Sequence, residues 1–211
     1  MDFDYWEEIF IKKMKQVTKG EDPAHDFLHF FRVVKMAKKF CSLENAQLEV
    51  VLPSAWLHDL VIVPKDDPRR SQASRLSADA AIEYLSHINY PKQYFNQIAH
   101  TISAHSFSAN IPTESVEAEI IQDADRLDGV GAIGIARCFA TAGLLKRSFY
   151  SQADPFCQSR LADDKTFTVD HFYNKLFKTV GTLKTDSAKK EGQRRAGVME
   201  AYLKNLSLEI Q

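Results

Sequence analysis

His58 and Asp59 stand side by side inside VVLPSAWLHDLVIV, residues 50–63, one of the most apolar runs of the chain. Burying two ionisable groups in such a setting is costly unless they are paired or hold a metal ion. On a helix, adjacent side chains diverge by about 100° and rise by about 1.5 Å. The pair can therefore flank one point beside the helix, where a cation would meet an imidazole nitrogen and a carboxylate oxygen. Two other segments offer further donors. In AHDFLHFFRV, His25, His29 and Arg32 fall on one helical face with Asp26 beside them. In IIQDADRLDGVG, Asp123, Asp125 and Asp128 sit in an otherwise mostly apolar stretch. One histidine from the first segment, the His-Asp pair and one aspartate from the second make a His2Asp2 set. Mixed imidazole and carboxylate donors suit manganese, iron, zinc or a similar divalent ion, with open positions for water.

Such donors must be brought together by helices. FDYWEEIFIKKMKQVTK reads as an opening helix stopped near Gly20, and EDPAHDFLHFFRVVKMAKKFC as a second, with Asp22 as cap before Pro23. LENAQLEVVLPSAWLHDLVIV is expected to be a third, largely buried helix carrying the His-Asp pair, with Pro53 at its start or at a kink. A polar loop follows over residues 64–77. Helical patterns resume in SADAAIEYLSHI and YPKQYFNQIAHTISAHSF, and then on either side of a break near Gly129, the first of these two starting at Thr113/Glu114. VDHFYNKLFKTVGTL and a long amphipathic tail complete the chain, with residues 146–168 its least regular connection. Strand signals are scarce. The expectation is an all-α fold in one domain over residues 1–211, with a metal-site core at about 22–130 and a helical part at about 131–211 completing the pocket.

Composition narrows the function further. The chain has 211 residues, 45% of them hydrophobic, enough for one sizeable core. A net charge of -1 creates no global field for polymeric nucleic acid or a membrane surface. Cys41, Cys138 and Cys157 form no CxxC pair, which points away from disulfides and thiolate zinc. The opening MDFDYWEEIF lacks a basic and an apolar leader region, and no run reaches the roughly 18 apolar residues of a membrane span. A cytoplasmic protein, monomeric or homodimeric, is expected.

The ordered set H…HD…D, carried by HFFRV, AWLHDL and QDADRLD, resembles the HD-domain superfamily of metal-dependent phosphohydrolases. The resemblance implies that His29, His58, Asp59 and Asp125 ligate a divalent ion. Mn²⁺ is favoured, with Mg²⁺, Fe²⁺, Ni²⁺, Co²⁺ or Zn²⁺ as alternatives. HDFLHFFRV, HDLVIVPK, RRSQASRLSA, AHSF, QDADRLDGVGAIGIAR, DHFYNKLFK and GQRRAGVMEAYL are similar to a bacterial branch that includes nucleoside triphosphate pyrophosphohydrolases. That likeness implies a nucleotide substrate cleaved between its α and β phosphates, with monophosphate removal as the nearest alternative. Leu60 and Val61 follow the pair, and the chain lacks the Glu-Asp that alarmone hydrolases carry a little further on. No second HD-like dipeptide flanks it, so a binuclear phosphodiesterase site is not expected.

Around the ligands, Asp59 and His105 are candidates for the chemistry itself, His105 as a proton donor to a leaving oxygen. Asp123 and Asp128, read as flanking Asp125 along one helical side, are candidates to orient a ligand or the attacking water, and His25 is a candidate partner for His29. Lys65, Arg69, Arg70, Arg75 and Lys175 are candidate phosphate-binding cations, Arg194 and Arg195 weaker ones. Two other classes compete. HDFLH has the H-x-x-x-H spacing of a zincin metalloprotease, a reading that leaves His58, Asp59 and Asp125 unexplained. The metal site could instead be structural, in a binding module without catalysis.

Overall fold

The computed structural model describes residues 1–18, 27–63 and 67–210. Among them the fold is all-α: α1 (Phe3–Val17), α2 (Phe27–Leu43), α3 (Leu48–Leu57), α4 (Ala73–His87), α5 (Phe95–His105), α6 (Val116–Asp128), α7 (Gly131–Leu144), α8 (Phe177–Val180) and α9 (Asp186–Ile210). The expected cap at Asp22 and Pro23 lies outside the described residues. The chain divides into two compact units, Met1–Asp125 and Arg126–Gln211, with the boundary inside α6.

In the first unit α3 is the hub, packing against α1, α2, α4 and α5. Every residue from Val50 to Leu57 is buried, so this helix has no polar face and reads as apolar all round. Phe10, Met14, Phe40, Ile98 and Ile102 from other helices pack with its own Leu52 and Trp56 in the core. Glu7 of α1 ties the layers together, accepting from Lys38 Nζ at 2.8 Å and Trp56 Nε1 at 3.3 Å. Pro53 lies inside α3. It has no N–H for the carbonyl of Glu49 four residues earlier. The Tyr90 hydroxyl donates to that carbonyl at 2.7 Å instead, and burial pushes its own pKa upward. Tyr90→Phe is therefore expected to cost about 1–2 kcal/mol in urea unfolding, because the Glu49 carbonyl is left without a partner.

Two elements depart from expectation. The third helix stops at Leu57, so His58 sits at its C-cap and Asp59 in the turn beyond. The polar loop is shorter than residues 64–77: Asp67 caps a 3₁₀ turn, Pro68–Gln72, by accepting from Arg69 N, and α4 begins at Ala73. Ser74 and Ser77 are thus buried helix residues, which polarity alone did not reveal.

In the second unit α7 and α8 pack on α9. Phe172 stacks on Tyr202 at 5.9 Å and Phe139 meets Tyr202 edge-on at 5.8 Å. The break near Gly129 lies between α6 and α7. Gly131 adopts φ +74° with the Arg195 stem against its Cα, a place where a side chain would be both strained and crowded. α6 is capped by Ser115, whose hydroxyl accepts from Ala118 N at 3.3 Å, one residue beyond the expected start. DHFYNKLFK forms a wide π turn, Phe172–Leu176, leading into the short α8. Residues 145–169 carry no helix and only an isolated bridge between Ser148 and Phe167.

Candidate metal centre

Two helices end the same way. His58 closes α3 by donating from Nδ1 to the Ala55 carbonyl at 2.9 Å, and His105 closes α5 by donating from Nδ1 to the Ile102 carbonyl at 2.6 Å. Each imidazole takes up a terminal carbonyl that the helix would leave unpartnered. Each therefore has its Nε2 turned away from its own helix end. That capping bond is the local reason the pair at 58–59 lies in a turn.

His29 on α2 is buried, and its Nε2 lies 3.3 Å from His58 Nε2. Asp125 Oδ1 on α6 completes a trio, 3.5 Å from His29 Nε2 and 3.9 Å from His58 Nε2. Asp59 divides its carboxylate: Oδ2 is 3.8 Å from His58 Nε2 and Oδ1 is 3.5 Å from His105 Nε2. His58, Asp59 and His105 thereby form a second donor trio that shares His58 with the first. Nitrogen and oxygen ligands about 2.1 Å from a common divalent ion lie about 3.0–3.4 Å from each other. The buried imidazoles of His29 and His58 and the part-exposed carboxylates of Asp59 and Asp125, with donor atoms 3.3–3.9 Å from His58 Nε2, fit such an ion.

The electrostatics agree. Burial lowers the His58 pKa, outweighing the attraction of Asp59. Burial alone would raise Asp59, but the imidazoles of His58 and His105 hold it well below the usual carboxylate range. Burial alone would lower His105, and its contact with Asp59 raises it instead.

The remaining sequence candidates fall elsewhere. His25, Asp26 and Lys65 lie outside the described residues. Asp123 precedes Asp125 by two positions, about 200° round the helix. It is fully buried, so the two do not share a side of α6 as expected. Asp128 is buried and takes Arg137 Nη1 at 2.9 Å, an ion pair the sequence reading missed, since nothing in the spacing marks it. Arg69 is held by Asp67 through Nε at 3.1 Å and Nη2 at 2.8 Å. Arg70 donates from Nη1 to the Val63 carbonyl at 2.7 Å. Arg75 is exposed on α4 and Lys175 is exposed in the π turn. Arg194 and Arg195 both pair with Glu191, and Arg195 also reaches the Leu127 carbonyl. The acidic partners Asp67 and Glu191 occupy the cations that a charge count leaves available.

The HD domain family model matches residues 26–129. An HD-superfamily hydrolase from Bacillus thuringiensis superposes with a TM-score of 0.77 at 28% identity, over 98% of this chain and 97% of that one. The crystal structure of Bacillus subtilis YpgQ in complex with ADP gives 0.74 at 29% identity, over 96% and 94%. A further YpgQ crystal structure gives 0.72 at 30% identity, over 95% and 97%. No single helix among the described residues is long and apolar enough to cross a membrane. With a matching family model, relatives that span the chain almost end to end, and imidazole and carboxylate donors gathered from α2, α6 and the ends of α3 and α5, the chain belongs to the HD-domain superfamily of metal-dependent phosphohydrolases.

Proposed function

We propose that the protein hydrolyses a nucleoside triphosphate between its α and β phosphates, releasing the monophosphate and pyrophosphate, with His29, His58, Asp59 and Asp125 holding one divalent ion, Mn²⁺ by preference. The observation that carries this reading is the approach of two buried Nε2 atoms to 3.3 Å with Asp125 Oδ1 within 3.9 Å of both. A bound divalent ion acidifies a coordinated water and polarises a phosphoryl oxygen. The chain's own groups do the rest. The Ala55 bond keeps His58 in the tautomer that leaves Nε2 basic. The part-exposed carboxylates of Asp59 and Asp125 leave the centre open to solvent and substrate. We assign His105, whose Nε2 faces Asp59, the proton delivered to the leaving oxygen. Asp128 is a weaker candidate for proton transfer, because Arg137 already neutralises its carboxylate.

Support for a nucleotide comes from the YpgQ relative crystallised with ADP. Arg75, exposed on α4, is the better candidate for phosphate contact among the described cations of the first unit. Arg69 would have to leave Asp67 to serve. Incubation of the purified protein with Mn²⁺ and a panel of ribo- and deoxyribonucleoside triphosphates tests the reading. Pyrophosphate release in step with monophosphate is expected, on the order of 10⁶-fold or more above the uncatalysed reaction. Orthophosphate as the sole inorganic product would overturn α–β cleavage and favour a phosphomonoesterase.

A further inference from the structure

Asp59 lies in a turn, outside the regular hydrogen bonding of α3, and its side chain is 41% exposed. Its separation from His105 is nonetheless short, with Oδ1 and Nε2 3.5 Å apart. Something must hold the two backbones in register. The contacts that do so come from α4. Ser77 Oγ accepts from Val61 N at 3.1 Å and donates to Val61 O at 3.4 Å, gripping both sides of the residue two beyond Asp59. Ser74 Oγ donates to the Ser103 carbonyl at 2.9 Å, two residues before His105. The two serines are three apart, so they share a face of α4. Both are buried, Ser77 fully and Ser74 to within 1%. Arg70 adds a third hold on the same segment through the Val63 carbonyl.

We infer that Ser74 and Ser77 are positioning residues: a two-point staple on α4 that ties the chain after Asp59 to the chain before His105 and so sets how the Asp59 carboxylate is shared between the ion and His105. This rests on the reading of Asp59 as a donor to the ion. One oxygen of Asp59 is engaged by His105 while the other faces His58, and a shift of Val61 relative to Ser103 changes that division. Buried hydroxyls usually find a partner; here each one has been spent on main chain next to a site residue rather than within its own helix.

The test is a double-mutant cycle on Mn²⁺ affinity, measured by calorimetry on the full chain, with urea unfolding alongside. Ser77→Ala is expected to weaken Mn²⁺ binding about tenfold, as loss of a group that orients a ligand does. In an Asp59→Ala background the same change is expected to alter affinity less than about twofold, because its effect passes through Asp59. An equal effect in both backgrounds, or lower stability with unchanged affinity, would overturn the inference. If Ser77→Ala does not fold, Arg70→Ala, at an exposed residue, takes its place with a smaller effect of the same pattern. The His105 imidazole NMR resonance of the metal-free protein is a second readout, expected to move in Ser74→Ala. Should the wild type bind no Mn²⁺, the proposed function fails, while that resonance still decides the staple.

Discussion

His58→Ala is expected to abolish Mn²⁺ retention and to lower nucleotide hydrolysis by about 10³-fold or more, a loss typical of removing a component on which the whole reaction depends. His58 is the member common to both donor trios, and it is fully buried. Its Nε2 lies 3.3 Å from the donor atom of His29, 3.8 Å from that of Asp59 and 3.9 Å from that of Asp125, and its ring centre lies 5.0 Å from that of His105. The folding cost is expected to be modest beside that loss. The variant gives up the bond to the Ala55 carbonyl, about 1 kcal/mol, and leaves a small void beside Phe30, whose ring centre is 5.3 Å from the imidazole. Circular dichroism and urea unfolding separate the two effects. A folded His58→Ala protein that keeps its metal and its turnover would move the active centre elsewhere.

The largest stability effect is expected from Arg160→Ala, a loss of about 3–5 kcal/mol. Asp170 has no exposed surface, and its carboxylate accepts from Arg160 Nη1 at 2.5 Å, Arg160 Nη2 at 2.8 Å and Asp163 N at 2.6 Å. Burial alone would raise the Asp170 pKa; the Arg160 fork outweighs it and keeps the acid ionised. Removing the guanidinium strands that charge in the interior. It also removes the bond from Arg160 Nε to the Asp154 carbonyl and the stacking over Phe167 at 5.0 Å, both within the helix-free stretch at 145–169. Asp170→Asn combined with Arg160→Ala is expected to recover part of the loss, since no uncompensated charge remains. The linkage has a definite sign: a carboxylate held below its ordinary value contributes stability above that value and loses it as pH falls. The wild type should accordingly lose this contribution as pH drops through and below the ordinary aspartate range, and Arg160→Ala should show a weaker acid dependence there.

The candidate donors were legible because metal chemistry needs particular residue types, and His29, His58, Asp59 and Asp125 stand out against apolar neighbours. Helix periodicity was equally visible in α1, α5 and α9, where polar and apolar residues alternate by turns. What periodicity does not report is where helical hydrogen bonding stops. The end of α3 at Leu57 depends on the His58 imidazole taking the Ala55 carbonyl, a bond between atoms whose sequence looks like uninterrupted helix. The start of α4 was hidden for the converse reason: Ser74 and Ser77 read as loop polarity, yet their hydroxyls are buried against the main chain of other segments. Charge counting does not report what Arg69 and Arg70 already hold. Arg69 holds a carboxylate two residues away, and Arg70 a carbonyl seven residues back.

The most direct test of the metal centre is anomalous diffraction from crystals equilibrated with Mn²⁺. A single strong peak is expected within about 2.3 Å of His29 Nε2, His58 Nε2, one Asp59 oxygen and one Asp125 oxygen. A map with no peak among those atoms at saturating Mn²⁺, or with the ion bound by a different set of side chains, would contradict the account.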